Sequence, residues 1–183
     1  SGSGKELIAR KIHKKSKRKD KPFVILNGAL LDINKYELEL FGKEKSDGSI
    51  SYGALEKANK GTLLIDQISD ISLEIQSKIL RVLIDQKFKR INGTNDIKVD
   101  VRLICSSNSD LRKEILNGNF REDLFHRINV FEINIKPLKE RVSDIPLLIR
   151  YFVKKISENY NIKEFEIDDN DSCLLYTSPS PRD

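Results

Sequence analysis

The chain begins with a run of small residues and a lysine, a combination suited to binding phosphate. Its first six residues are Ser1, Gly2, Ser3, Gly4, Lys5 and Glu6. In a loop of the form G-x-x-x-x-G-K-[ST], backbone N–H groups surround the phosphates, the lysine reaches the β- and γ-phosphate oxygens, and the hydroxyl binds Mg²⁺. This chain matches the loop without its first glycine, and Glu6 stands where Ser or Thr is usual. A Gly/Ser-rich linker would look the same, so the segment alone leaves both interpretations open.

A second candidate site follows further along the chain. Residues 61–66 read GTLLID, an apolar strand that ends in an acid. Such a carboxylate can hold the Mg²⁺ of a bound nucleotide, as in a Walker B element, although an acid at a strand end is often only a helix cap. The presence of both segments in one chain favours nucleotide binding over the alternatives of a flexible linker and a helix cap.

The elements that would position these residues alternate between strands and helices. Apolar runs predict strands at residues 23–26, 62–65, 101–105 and 130–135. Apolar spacing predicts helices over residues 5–16, 73–86, 111–117 and 145–157. Residues 92–95 (NGTN) lie between two further apolar runs and predict a hairpin. The pattern predicts an α/β fold, a parallel sheet with helices on both faces.

Composition excludes several classes of protein. The 183 residues suit one domain, and 33 basic against 28 acidic residues, net charge +5 with 38% hydrophobic residues, indicate a folded chain. No apolar run reaches the roughly 18 residues of a membrane span, and the first residues lack the basic, apolar and small-residue order of a signal peptide. We therefore expect a cytoplasmic protein without a membrane partner. Two cysteines and two histidines are too few for a disulfide framework or a thiolate zinc site, so any metal should have oxygen ligands.

Both ends of the sequence are predicted not to be native ends. The chain contains no Met, so the true start is expected upstream. Residues 172–183 (SCLLYTSPSPRD) break from the Lys/Ile/Asn-rich composition before them. One in-frame reading of this tail resembles a transposase-type sequencing adapter, and the alternative is a disordered Ser/Pro tail. We exclude the tail from the fold prediction.

Six segments of the chain resemble the AAA+ central domain of sigma-54-dependent transcription activators, the NtrC/NtrX type of response regulator. They are GKELIAR (4–10), ELFG (39–42), GTLLID (61–66), QSKILRVL (76–83), DVR (100–102) and FREDLFHRINV (120–130). Glu after the loop lysine is itself typical of this family. The resemblance implies a P-loop NTPase core in residues 1–140 whose N-terminal strand is missing, and the truncated start of a helical lid in residues 141–171.

The resemblance also assigns roles at the nucleotide site. Residues 1–6 would surround the phosphates of ATP, and Asp66 would organise Mg²⁺ and water. Asn27 matches a switch residue that hydrogen-bonds the acid, and Ser107 and Asn108 match sensor I, which reads the γ-phosphate. From the residues alone, Asn27 and Asn108 could be ordinary strand-end caps.

Two arginines match the family's arginine fingers. Arg121 and Arg127 would enter the site of a neighbouring subunit in a ring-like homo-oligomer and stabilise transition-state charge. Without the resemblance, both could be solvent-exposed or paired with Glu122 or Asp123.

One departure from the family pattern concerns the attacking water. Gln67 follows Asp66 where the family has Glu, the carboxylate that polarises this water. An amide cannot accept a proton at neutral pH, and a general base typically contributes about 10²–10⁴-fold. We expect ATP binding to persist and hydrolysis to be very slow.

A second departure concerns the partner. Residues 46–52 (SDGSISY) replace the Gly-Ala-Phe-Thr-Gly-Ala signature with which family activators grip the sigma factor. This argues against direct remodelling of sigma-54 RNA polymerase and favours the NtrX-like branch. DNA binding is expected from a C-terminal helix-turn-helix domain outside this sequence, and the lysine-rich residues 11–21 are interpreted as a solvated helix end.

Two functions remain open from the sequence. The first is an ATP-binding AAA+ module of a sigma-54-type regulator that couples nucleotide state to oligomer conformation and transcription control. The alternative is a non-hydrolysing module in which ATP occupancy only drives assembly. A different AAA+ machine, such as a loader or unfoldase, is disfavoured by residues 120–130.

Overall fold

The computed structural model describes residues 3–29 and 32–160. Ser1, Gly2 and the predicted adapter tail at 172–183 lie outside the described residues. The chain divides into two units, residues 1–133 and 134–183. The predicted boundary between core and lid, at residues 140/141, stays a prediction.

The first unit alternates helices and strands. Its helices are α1 (Lys5–Lys14), α2 (Ile33–Phe41), α3 (Ala54–Lys57), α4 (Leu73–Asp85), α5 (Leu111–Leu116) and α6 (Glu122–Ile128). Its strands are β1 (Phe23–Asn27), β2 (Gly42–Glu44), β3 (Ile50–Tyr52), β4 (Thr62–Asp66), β5 (Lys87–Phe88), β6 (Ile97–Lys98) and β7 (Arg102–Cys105). A 3-10 turn, Ile68–Asp70, connects β4 to α4.

The second unit is described up to residue 160. It contains two 3-10 turns, Leu138–Glu140 and Val142–Asp144, and the helix α7 (Ile145–Tyr160). In the described part of the chain, no helix is long and apolar enough to cross a membrane.

A parallel sheet in the order β1-β4-β7 organises the first unit. The central strand β4 is buried because both of its neighbours and helices cover it. The register places Asn27 opposite Asp66 and Ile65 opposite Cys105. The carboxyl ends of all three strands therefore meet at one edge of the sheet, which is where parallel α/β sheets carry their ligands.

Gly61 shows why the GTLLID segment must begin with glycine. A Cβ at this position would lie 2.0 Å from the backbone oxygen of Pro22. That same oxygen accepts a hydrogen bond from Thr62 N–H at 2.9 Å. The close approach starts the pairing of β4 with β1, so any side chain at Gly61 would separate the two strands.

Three predicted strands, the hairpin and the four predicted helices are present, but the fourth strand is not. Residues 130–135 form no strand, and Val130 and Phe131 are 86% and 83% exposed. An apolar run becomes a strand only where a neighbour bonds its backbone. Within residues 3–29 and 32–160, no strand pairs with this segment. The prediction of a strand at 130–135 is therefore wrong for this structure.

Arg18 modifies the interpretation of the lysine-rich stretch. Its guanidinium donates to the backbone oxygens of Gly61 and Asp100 at 3.1 and 2.9 Å, and to Asp100 Oδ1 at 2.6 Å. This part of the predicted solvated helix end is thus anchored to the amino-terminal edge of the sheet. The neighbouring lysine side chains are exposed.

His13 and Cys105 pack inside the first unit. His13 is buried, its ring contacts Phe23, and its Nδ1 lies 2.9 Å from Thr62 Oγ1. Burial raises the pKa of the Cys105 thiol to about 12. The thiolate is the nucleophilic form of cysteine, so this environment favours packing over nucleophilic chemistry at Cys105.

Candidate functional site

The beginning of α1 has the geometry of an anion site. Gly4 precedes the helix in the left-handed region, with φ 90°, and no side chain caps the helix. The first N–H groups of a helix have no intrahelical partner and carry its positive dipole end. A phosphate at this helix start would accept hydrogen bonds from these N–H groups and interact favourably with the positive end of the dipole.

The structure brings Lys5 and Asn108 together. Lys5 Nζ donates to Asn108 Oδ1 and lies 3.4 Å from Ser3 Oγ. Lys5 comes from the first turn of α1, and Asn108 lies in the loop after β7. An ammonium group has three donors, so Lys5 could donate to a phosphate oxygen in place of the Asn108 amide oxygen and still donate to Ser3 Oγ.

Asp66 is held by a residue that the sequence reasoning missed. Ser106 Oγ donates to Asp66 Oδ1, and the backbone of Ser106 bonds to Ile65 and Ile68 at 2.9 Å each. In the described part of the chain, Asp66 Oδ2 accepts no hydrogen bond. The signal for Ser106 was a hydroxyl one residue beyond β7, beside the predicted sensor residues.

The residues of this edge fit a nucleotide with Mg²⁺. Magnesium is usually bound by one or two carboxylates together with phosphate oxygens and water. Among the described residues no group of three His, Cys, Asp or Glu side chains could hold a metal ion by itself. Asp66 has one carboxylate oxygen that accepts no hydrogen bond from the described residues. A single carboxylate suits a Mg²⁺ ion whose other ligands are the phosphate oxygens of a nucleotide and water.

Gln67 takes the position next to Asp66 in a left-handed conformation, with φ 56° and ψ 52°. A Cβ at Gly28 would lie 2.6 Å from the Gln67 backbone oxygen, so the chain after β1 passes directly over this residue. Within the described residues, the Gln67 side chain makes no hydrogen bond. Its amide can orient a water but cannot take its proton.

Two predicted site residues make local bonds instead of reaching the site. Asn27 Oδ1 accepts from Ala29 N–H at 2.9 Å, so the side-chain bond to Asp66 that the resemblance implies is not formed here. Ser107 Oγ donates to the Ser109 backbone oxygen at 2.8 Å. Of the two sensor candidates, Asn108 alone contacts Lys5.

The two arginines lie at opposite ends of α6. Arg121 makes two bonds to Asp123, at 3.0 and 2.6 Å, and these hydrogen bonds raise the pKa of Arg121 and lower the pKa of Asp123. Arg127 Nη2 donates to the Leu83 backbone oxygen at 3.1 Å and is exposed. The sequence alternative of pairing with Asp123 thus holds for Arg121. Within the described part of the subunit, neither arginine bonds to Lys5 or Asp66.

Arg90 joins the two hairpins of the first unit. Its guanidinium bonds to Glu56 at 2.8 and 2.6 Å and to Glu44 at 2.8 Å, and it lies 5.5 Å from the Tyr52 ring. Backbone bonds of 3.0 Å between Ile91 and residues 42 and 44 add to this link. The hydrogen bonds that Arg90 donates to Glu56 and Glu44 raise the pKa of Arg90 above its usual value. The hairpin that carries residues 46–52 is therefore fixed to the β5–β6 hairpin.

We expect Arg90→Ala to lower the free energy of unfolding by about 2–3 kcal/mol, somewhat less than the 3–5 kcal/mol of a fully buried pair. The Arg90 and Glu56 side chains are each 12% exposed, so the substitution leaves a nearly buried carboxylate without its cation. Denaturant unfolding measures the change. Lys87→Ala is the control, since its pair with Asp96 is 45% exposed on each side and solvent-exposed ion pairs contribute little to stability. Equal losses in the two variants would contradict the structural role of Arg90.

The sequence matches known regulators over most of its length. The Sigma-54 interaction domain family matches residues 1–134. The nitrogen assimilation regulatory protein NtrX of Azorhizobium caulinodans is 43% identical over 182 residues, 99% of this chain and 40% of the relative. The regulatory protein AtoC of Escherichia coli is 44% identical over 179 residues, 96% of this chain and 39% of the relative. The chain thus spans about two-fifths of the length of these relatives.

Solved structures agree with the fold. The crystal structure of NtrX from Brucella abortus superposes with a TM-score of 0.90 at 45% identity, covering 97% of this chain and 41% of that chain. The structure of the same protein in complex with ATP gives a TM-score of 0.88 at 44% identity, with the same coverage. The fold is therefore that of an AAA+ P-loop NTPase, a parallel sheet with helices. The chain belongs to the sigma-54 interaction domain family of transcriptional regulators.

Proposed function

We propose that this chain is the ATP-binding module of an NtrX-like regulator, and that it couples nucleotide state to the conformation of a homo-oligomer and so to transcription control. The observation that carries the proposal is the joining of Lys5, at the start of α1, to Asn108, in the loop that follows β7 next to the Asp66 edge of the sheet. Support comes from the Brucella abortus NtrX that was crystallised with ATP and with ADP.

Each residue of the edge has a separate task. The first turn of α1 and Lys5 would bind phosphate oxygens, and Asp66, oriented by the Ser106 hydroxyl, would hold Mg²⁺. Bound Mg²⁺ neutralises charge on the phosphates. Asn108, which bonds to Lys5 in this structure, would contact the γ-phosphate, as the resemblance implies for sensor I.

Hydrolysis is the step on which the two candidate functions differ. Gln67 offers an amide where a general base is needed, and this favours the alternative in which ATP binding drives assembly with little turnover. Both candidates share the binding site, so a phosphate-release assay separates them. Rapid release by the native chain would exclude the alternative.

We propose that the partners are other copies of the same protein. Arg121 and Arg127 would act in a neighbouring subunit. The β2–β3 hairpin carries residues 46–52 in place of a sigma-gripping signature, so contact with sigma-54 RNA polymerase is not expected through it. DNA binding is proposed to reside in a further domain, and the location is proposed to be the cytoplasm.

The binding proposal is tested with Lys5. We expect Lys5→Ala to weaken ATP–Mg²⁺ binding by about 10- to 100-fold, because charge-assisted hydrogen bonds contribute roughly 1.5–3 kcal/mol. A fluorescent ATP analogue measures the Kd. Lys17→Ala removes the same charge from an exposed position after α1 and should leave the Kd unchanged. Equal Kd values for both variants would contradict the phosphate role of Lys5.

A further inference from the structure

Gln76 is a fully buried amide that bonds to three backbone groups. Its Nε2 donates to the Ile71 oxygen at 2.7 Å and to the Asn119 oxygen at 3.1 Å, and its Oε1 accepts from Arg121 N–H at 2.8 Å. A buried polar side chain is destabilising unless its hydrogen bonds are made. Here both donors and one acceptor position are used, which fixes the orientation of the side chain.

These bonds connect two segments that belong to different parts of the site. Ile71 directly follows the 3-10 turn after Asp66 and Gln67. Asn119 and Arg121 directly precede α6, which carries Arg127 and packs on α4. The Gln76 side chain, on α4, thus links the segment that follows Asp66, the proposed Mg²⁺ ligand, to the segment that carries Arg121 and Arg127.

Helix capping does not account for Gln76. The start of α4 is already capped by Ser72, whose side chain accepts from Ile75 N–H. The start of α6 has no side-chain cap of its own, and its N-cap residue is Arg121. The N–H of Arg121 is instead bonded to Gln76. Gln76 therefore links the start of α6 to the segment after Asp66 by side-chain hydrogen bonds, in addition to the packing of α6 on α4.

The chemistry requires an amide of this length. A methionine would fill the space but leave two carbonyls and one N–H buried without partners. An ionised glutamate would point a carboxylate oxygen, which can only accept, at the Ile71 and Asn119 carbonyl oxygens, which also only accept. Only its protonated form could donate to one of them. No other neutral side chain of similar length offers two donors and one acceptor together.

We propose that Gln76 is a positioning residue that transmits displacements of the segment behind Asp66 to Arg121 and Arg127 of the same subunit. Through it, nucleotide at one site would set the placement of the arginines that this subunit offers to its neighbour. The inference rests on the proposed function, since it requires ATP to bind at the edge that contains Lys5 and Asp66.

Backbone hydrogen exchange with and without ATP–Mg²⁺ tests this role. We expect ATP to slow exchange in residues 61–71. Through Gln76, it should also slow exchange in residues 119–128 by about fivefold or more, since allosteric coupling between two sites usually begins at about this factor. Gln76→Met and Gln76→Glu should keep the ATP effect at 61–71 and lose it at 119–128. Asn95→Asp is the control, because this exposed amide in the β5–β6 hairpin makes no side-chain hydrogen bond to any described residue.

A pH series adds a readout that a purely structural role would not produce. Burial raises the pKa of a carboxyl placed at position 76, and its protonated form regains one donor. In Gln76→Glu the ATP effect at 119–128 should therefore return in part as the pH falls, and in Gln76→Met it should not.

The outcomes separate this inference from the proposed function. If ATP slows exchange nowhere in the native chain, the proposed function is wrong. If it slows exchange at 61–71 but not at 119–128, or equally in native and Gln76→Met chains, the positioning role is overturned while the binding site stands.

Discussion

Gln67→Glu is expected to raise ATP hydrolysis by up to about 10²–10⁴-fold, the contribution of a general base, while the Kd for ATP–Mg²⁺ stays nearly unchanged. Binding needs Lys5, the start of α1 and Asp66, and none of these is altered by the substitution. Gln67 is adjacent to Asp66, and its amide makes no bond in the described structure, so a carboxylate there disrupts no existing contact.

Two measurements on the same protein test this separation of binding from turnover. Phosphate release reports hydrolysis, and thermal stabilisation by ATP–Mg²⁺ reports binding, at about 2.7 kcal/mol for a hundredfold excess over Kd. Asn95→Asp adds the same charge at an exposed position of the β5–β6 hairpin and should leave both values unchanged. Equal and rapid release by native and Gln67→Glu chains would show that another group activates the water.

The parts of the site that lie in continuous motifs could be predicted from the sequence. Lys5 and Asp66 were found because a phosphate loop and an acid-terminated strand each need only a few consecutive residues. The apolar runs of β1, β4 and β7 likewise predicted the sheet, because a buried parallel strand is apolar on both faces.

The parts that depend on contacts between distant segments could not be predicted. Three residues hydrogen-bond to partners in other segments of the chain, namely Ser106, Gln76 and Arg90. The local sequence around each of them does not indicate which residue the partner is. The strand at residues 130–135 was wrongly predicted for the related reason that an apolar run does not specify which strand would bond to it. Asn27 occupies its predicted place, yet the nearby Ala29 N–H competes for its oxygen.

The arginines give the second large expected effect, and the structure distinguishes them. Arg121 would have to leave two bonds to Asp123, whereas Arg127 would leave a single bond to a backbone carbonyl. An arginine finger contributes about 10³–10⁵-fold to turnover. In the Gln67→Glu background, Arg127→Ala should therefore reduce hydrolysis by about 10³-fold or more with little change in ATP affinity.

A mixing experiment decides whether Arg127 acts in a neighbouring subunit. At an ATP concentration well below its weakened Kd, a Lys5→Ala subunit is largely empty of nucleotide but offers an intact Arg127. A Gln67→Glu, Arg127→Ala subunit offers a nucleotide site without an arginine. We expect each to be nearly inactive alone and the mixture to regain hydrolysis, because only a shared interface combines the missing parts. Arg121→Ala in the second subunit is the comparison, and it should also loosen α6, since its pair with Asp123 spans the start of that helix. If the mixture regains nothing and Arg127→Ala itself loses ATP affinity, Arg127 is a structural residue bound to Leu83 and acts only within its own subunit.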